Sequence, residues 1–115
     1  LRKEWAYLAF QQLQSQEDLQ AFLKKTGKLL LFKHSTVCPI STSAHEQFHS
    51  YLQANSDVEA AEVLVREARP VSNEIAEHFQ IKHESPQIFL IEDGAVSWHT
   101  SHWKITKDAI EKAMK

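Results

Sequence analysis

The sequence predicts an α/β domain built on a mixed β-sheet. Three observations carry that expectation. Leu29-Leu30-Leu31-Phe32 is a short apolar run with the character of a strand buried on both faces. Segments of this kind alternate with segments whose apolar residues recur at helical spacing, giving the order β-α-β-α-β-α-β-β-α. The last two strands flank Asp93-Gly94, a two-residue hairpin signal, so a terminal antiparallel pair joins the crossover units.

Taken in order, residues 1–8 carry Trp5, Tyr7 and Leu8, compatible with either a strand extension or a helical turn docked on the core. Ala9–Leu13 alternates weakly and reads as a short strand at or near an edge. Ser15 is an N-cap candidate for a helix bearing Leu19, Phe22 and Leu23, and Gly27 is its stop. After Leu29–Phe32, the stretch Lys33-His34-Ser35-Thr36-Val37 breaks the strand. Cys38-Pro39-Ile40-Ser41 then opens a helix to about Asn55, with Ala44, Phe48, Tyr51 and Leu52 on one face. Pro39 suits the first helical position, where a missing N–H costs nothing. Ala61–Val65 is a further strand, Arg69-Pro70 ends the connection after it, and Ser72 caps a helix carrying Ile75, Ala76 and Phe79. His83-Glu84-Ser85-Pro86 leads into the strand Gln87–Ile91, and Ala95–Trp98 returns from the Asp93-Gly94 turn. Beyond a turn region at Thr100–Lys104, Thr106 caps a final helix with Ala109, Ile110 and Ala113.

At 115 residues the chain suits one domain spanning 1–115, with a real core. A composition of 43% hydrophobic and 24% charged residues, with 2 Gly and 3 Pro, argues against extensive disorder. The net charge of −2 and the lack of a basic cluster give no footprint for nucleic acid or acidic lipid. No apolar stretch has the length of a membrane span, and Leu1-Arg2-Lys3-Glu4-Trp5 lacks the apolar core of a signal peptide. One cysteine excludes an internal disulfide framework and suits a reducing cytoplasm, which is the expected location.

That cysteine, Cys38, sits where a buried strand hands over to a helix N-terminus. Free amides and the helix dipole favour a thiolate there. Cys-x-x-Ser at a helix start, followed by a helix and an Ile-Lys-x-x-Ser-Pro turn ahead of a strand–Asp-Gly–strand hairpin, resembles the thioredoxin fold. Lys33-His34-Ser35-x-x-Cys38-Pro39-Ile40-Ser41 together with Lys82-His83-Glu84-Ser85-Pro86-Gln87 resembles the monothiol bacilliredoxin family of the YtxJ type, over roughly residues 9–113. The resemblance implies a central mixed sheet of four to five strands with helices on both faces. It implies a monothiol oxidoreductase that removes bacillithiol from protein mixed disulfides, with bacillithiol as co-substrate, no bound cofactor and no metal.

The same resemblance makes Cys38 the attacking thiol, puts Ser41 where a dithiol enzyme has its resolving cysteine, and puts Pro86 at a cis-proline beside the site. The Ser85 backbone would then offer its N–H and C=O to an extended substrate. Its partners would be bacillithiolated client proteins, and bacillithiol or a disulfide reductase for regeneration. Two departures stand out. The Ile81-to-Pro86 turn is a residue longer than that of ordinary thioredoxins, and Trp98-His99-Thr100-Ser101-His102-Trp103 is not thioredoxin-like.

Each site residue also has an ordinary reading. A lone cysteine is often a small buried hydrophobe, which would make the protein an interaction module with an inert thiol. Ser41 either hydrogen-bonds the thiolate or bonds the backbone of its own helix. His34, if protonated, would stabilise the thiolate; strand-end histidines are commonly just exposed. Trp98–Trp103 reads first as a packed aromatic corner, and alternatively as a place where His99, His102 and Lys104 receive a carboxylate of bacillithiol.

Two other chemistries compete. His45-Glu46-Gln47-Phe48-His49 is a literal H-E-x-x-H, the zinc-protease pattern, with Glu67 or Glu74 as distant third ligands. Against it, both histidines fall to the polar side of the Ala44–Phe48–Leu52 stripe. Ser35-x-x-Cys38-Pro39 is faintly similar to peroxiredoxins, but Leu31 stands where their preceding proline would be.

Overall fold

The computed structural model describes residues 10–115. Residues 1–9, including Trp5, Tyr7, Leu8 and the expected strand start at Ala9, lie outside the described residues. The elements are β1 (Phe10–Gln12), α1 (Gln16–Leu23), β2 (Lys28–His34), α2 (Pro39–Ala54), β3 (Glu59–Leu64), α3 (Arg69–Phe79), β4 (Gln87–Glu92), β5 (Ala95–Ser101), a 3₁₀ turn (His102–Lys104) and α4 (Lys107–Met114). Their order is the one the sequence predicts.

The five strands form one sheet in the order β1-β3-β2-β4-β5. β1 and β2 flank β3 in parallel, as their helical crossovers require, whereas β4 and β5 run antiparallel. Asp93 and Gly94 both have positive φ, 54° and 82°, the signature of the tight turn that matches strand twist. Central β2 is buried on both faces from Leu29 to His34.

Because side chains alternate along a strand, β2 divides the core in two. Leu29 and Leu31 join Phe22 of α1, Ile75 of α3, Phe89 and Ile91 on one face. Leu30 and Phe32 join Phe48 of α2, Ile110 of α4, Ile88 and Leu90 on the other. Helices therefore cover both faces.

Several boundaries differ from expectation. β2 continues through Lys33 and His34, because β3 pairs with both residues and β4 still pairs with Lys33. β3 begins at Glu59 and ends at Leu64. α1 ends at Leu23, so Gly27 (φ 84°) turns the chain into β2 and does not stop the helix. α3 starts at Arg69, with Pro70 in its first turn, where the missing N–H has no partner to lose. Ser72 is accordingly a buried helical residue and not a cap. β5 runs on to Ser101, absorbing Thr100 from the expected turn. Ser15 and Thr106 do cap, accepting from the amides of Asp18 and Ala109.

Candidate active site

The strand-to-helix junction carries the only cysteine. Cys38 is the N-cap of α2, and Pro39 follows at the first helical position. Cys38 is half-buried and makes no side-chain capping bond, so Sγ is not engaged with its own helix. Its N–H donates to Ser35 O at 3.3 Å, closing the loop that joins β2 to α2.

Ser41 locks that loop from beneath. Fully buried, its Oγ accepts from the Ser35 N–H at 2.9 Å and lies 2.8 Å from His34 Nδ1. With the Ser35 amide filling one lone pair, the serine proton is free to point at Nδ1. The hydroxyl thus bridges strand end and helix start, and its hydrogen bonds go neither to Cys38 nor to the helix backbone.

His34 differs from the exposed strand-end residue that its position suggested. It alternates onto the α2 face of β2 and is only 8% exposed. Burial, together with neighbouring His45, lowers its pKa below the ordinary imidazole value. The same burial disfavours the protonated form through which His34 would steady the thiolate.

The H-E-x-x-H histidines likewise turn inward and not to the polar side. His45 stacks on His34 with ring centroids 4.2 Å apart, and His45 and His49 are 4.6 Å apart. His45 Nε2 is 2.5 Å from Oε1 of the buried Glu62, whose other oxygen accepts from Gln12 Nε2 at 3.1 Å. Burial and His45 lower the pKa of His49. Glu46 and Glu67 are exposed, and the Glu67 charge partly offsets the lowering of the His34 pKa. Among the described residues, no group of three or more His, Cys, Asp or Glu is disposed to hold a metal ion.

The second motif reaches the same end of the sheet. Lys33 of β2 stands opposite Gln87 of β4, and the Ser85–Pro86 peptide immediately before Gln87 is cis. Pro86 is buried; its C=O accepts from the His102 N–H at 3.1 Å, tying the loop to the 3₁₀ turn. Ser85 Oγ is buried with no hydrogen-bond partner among the described residues. His102, at φ 56°, lies 3.9 Å from the Glu84 carboxylate. Beside this loop lies an open cleft of 540 Å³ whose walls include Lys82, Glu84, His99, His102 and Lys104. The aromatic segment divides: Trp98 packs half-buried against the α2 and α4 core, whereas Trp103 is 69% exposed.

A model of the monothiol bacilliredoxin BrxC family matches residues 11–110. The chain belongs to that family. Among solved structures, a thioredoxin-fold protein described as an oxidoreductase superposes with a TM-score of 0.89 at 28% identity, covering 96% of this chain and 98% of that one. Mitochondrial thioredoxin 3 from Saccharomyces cerevisiae (TM-score 0.73, 20% identity, covering 95% and 96%) and thioredoxin O2 from Arabidopsis thaliana (0.75, 13%, 93% and 96%) share the fold. Family and fold together support a thiol redox role.

Sequence reasoning missed Lys33, His83 and Gln87, which underlie the Ser85–Pro86 loop, and Glu62, which holds His45. Lys33 was accessible to a simple argument: two positions beyond Leu31, it continues the inward face of the same strand.

Proposed function

We propose that the protein removes bacillithiol from protein mixed disulfides. The observation that carries this is a single cysteine at the N-cap of α2, at the sheet end that also holds the cis Ser85–Pro86 peptide. The unpaired amides of a first helical turn suit an anion at that position.

In the first step the Cys38 thiolate attacks the bacillithiol sulfur of the client's mixed disulfide. The Cys38–sulfur bond forms, the old disulfide breaks, and the client leaves as its thiolate. No second cysteine exists in the chain, and the corresponding Ser41 hydroxyl cannot resolve a disulfide. Cys38 therefore ends disulfide-bonded to bacillithiol. The thiolate of a second bacillithiol, or of a disulfide reductase, attacks the bacillithiol sulfur of that bond, forms a new disulfide with it and expels the Cys38 thiolate.

The client's extended backbone would pair with the Ser85 N–H and C=O, next to buried Pro86. A carboxylate of bacillithiol would enter the adjoining cleft, where His102, Lys82 and Lys104 supply hydrogen bonds and positive charge. No cofactor is needed, because the thiol exchange balances by itself. A lone thiol of this kind suits a reducing, cytoplasmic setting.

The test is mass spectrometry after incubation with a bacillithiolated client. The protein should gain one bacillithiol, and Cys38→Ser should gain none. A client reduced by an unmodified wild-type protein would overturn the mechanism.

A further inference from the structure

Beneath the Lys82–Pro86 loop lie two buried polar side chains on a sheet face otherwise filled by Leu29, Leu31, Phe89 and Ile91. Lys33 is 0% exposed and Gln87 1%, and they stand opposite each other in the β2–β4 register. Each reaches up into the loop. Lys33 Nζ donates to His83 Nδ1 at 3.1 Å, which makes Nδ1 the unprotonated ring nitrogen. Gln87 Nε2 donates to Lys82 O at 3.0 Å, and Gln87 Oε1 accepts from the Glu84 N–H at 3.2 Å. Three consecutive loop residues are thus gripped from below just before Ser85 and Pro86, and Ser72 Oγ of α3 adds a longer contact to the same His83 Nδ1 at 3.4 Å.

Stability does not account for this choice. Among the described residues no carboxylate pairs with Lys33; the Phe89 ring, 5.8 Å from Nζ, is its other electrostatic neighbour. A buried ammonium without a counter-charge is costly, and an apolar residue of similar length would continue the strand's own pattern. The position is occupied by a long donor that can span from the strand to the loop.

We infer that Lys33 and Gln87 are positioning residues, Lys33 holding the His83 ring and Gln87 the Lys82 and Glu84 backbone, so that Ser85 and Pro86 present a fixed edge to the mixed disulfide attacked by Cys38. The inference rests on the proposed role of Ser85 and Pro86. It assigns neither residue to the reacting atoms, and it leaves the thiol's own reactivity to the α2 N-terminus.

Two rates on the full chain separate positioning from general damage. One is alkylation of Cys38 by iodoacetamide, which needs only the thiol. The other is exchange with a peptide whose cysteine is disulfide-bonded to bacillithiol, which needs the loop as well. Lys33→Met and Gln87→Leu should slow exchange about tenfold or more while alkylation stays at the wild-type rate, because misplacing a substrate contact costs rate without changing the nucleophile. His83→Gln keeps an acceptor for Lys33 and should retain most exchange, whereas His83→Leu should behave like Lys33→Met. The same panel is run on a peptide–thionitrobenzoate disulfide, in which Cys38 attacks the peptide sulfur and the better leaving group, thionitrobenzoate, departs, so that its absorbance reads exchange at the same loop. A wild type inert to the bacillithiol peptide but active on this probe would overturn the bacillithiol reading and leave the loop assignment under test. Wild-type exchange rates in Lys33→Met and Gln87→Leu, or parallel loss of exchange and alkylation, would overturn the positioning role.

Discussion

Ser41 stands three residues after Cys38, and its hydroxyl has a structural task there. It satisfies the buried Ser35 N–H and pairs with His34 Nδ1, so the loop bearing Cys38 closes around it. Ser41→Ala would leave both groups buried without that partner, at about 1–3 kcal/mol of stability, the usual penalty of an orphaned buried donor. Urea unfolding midpoints measure it, and a change below a few tenths of a kcal/mol would contradict the bridging role. The Cys38 thiol itself is tested by alkylation at mildly acidic pH against a free model thiol. Faster reaction is expected at a helix N-terminus, and equal or slower reaction would favour the inert module.

At the level of elements, α2 begins with a cap that does little for the helix. Cys38 makes no side-chain capping bond, whereas Ser15 of α1 and Thr106 of α4 do. Serine is a strong N-cap and cysteine is not. Cys38→Ser should therefore raise stability by about 0.5–1 kcal/mol while abolishing adduct formation, an exchange of function for capping energy. Thr106→Ala should do the reverse to α4, lowering stability by about 1 kcal/mol with the Cys38 alkylation rate unchanged. Thermal and urea denaturation of the two variants decide both. A Cys38→Ser protein less stable than wild type would mean that the thiol packs better than it caps.

Across the whole molecule, buried basic groups set the pH dependence. Burial lowers the pKa of Lys33 from 10.5 to about 8. Between those values the unfolded chain binds a proton that the folded chain has released, so stability rises with pH there. From pH 8 to 10 this gain is on the order of 2 kcal/mol, and Lys33→Met should lack it. His34, His49 and His83 also have lowered pKa values, each chiefly from burial. Below the ordinary imidazole value of 6.5 the unfolded chain protonates first, so stability falls as the medium becomes acidic. Denaturation curves from pH 5 to 10 for wild type and Lys33→Met give both limbs; superimposable alkaline limbs would show that Lys33 does not carry this effect.

The order of elements, the Ser15 and Thr106 caps, the Asp93-Gly94 turn and the placing of Cys38 at a helix start were all legible in the sequence. Each depends on residues a few positions apart, within reach of periodicity and turn chemistry. Family motifs around Cys38 and Pro86 added the functional class. Long-range packing settled that Lys33 and His34 lie buried on opposite faces, that Ser41 bonds His34 and Ser35, and that His45 pairs with Glu62. Those outcomes depend on which segments meet. His83 is fifty residues from Lys33, and the β2–β4 register that aligns Lys33 with Gln87 is set by whole-face packing of apolar side chains. A polar residue in a strand carries no local mark of the partner waiting across the sheet.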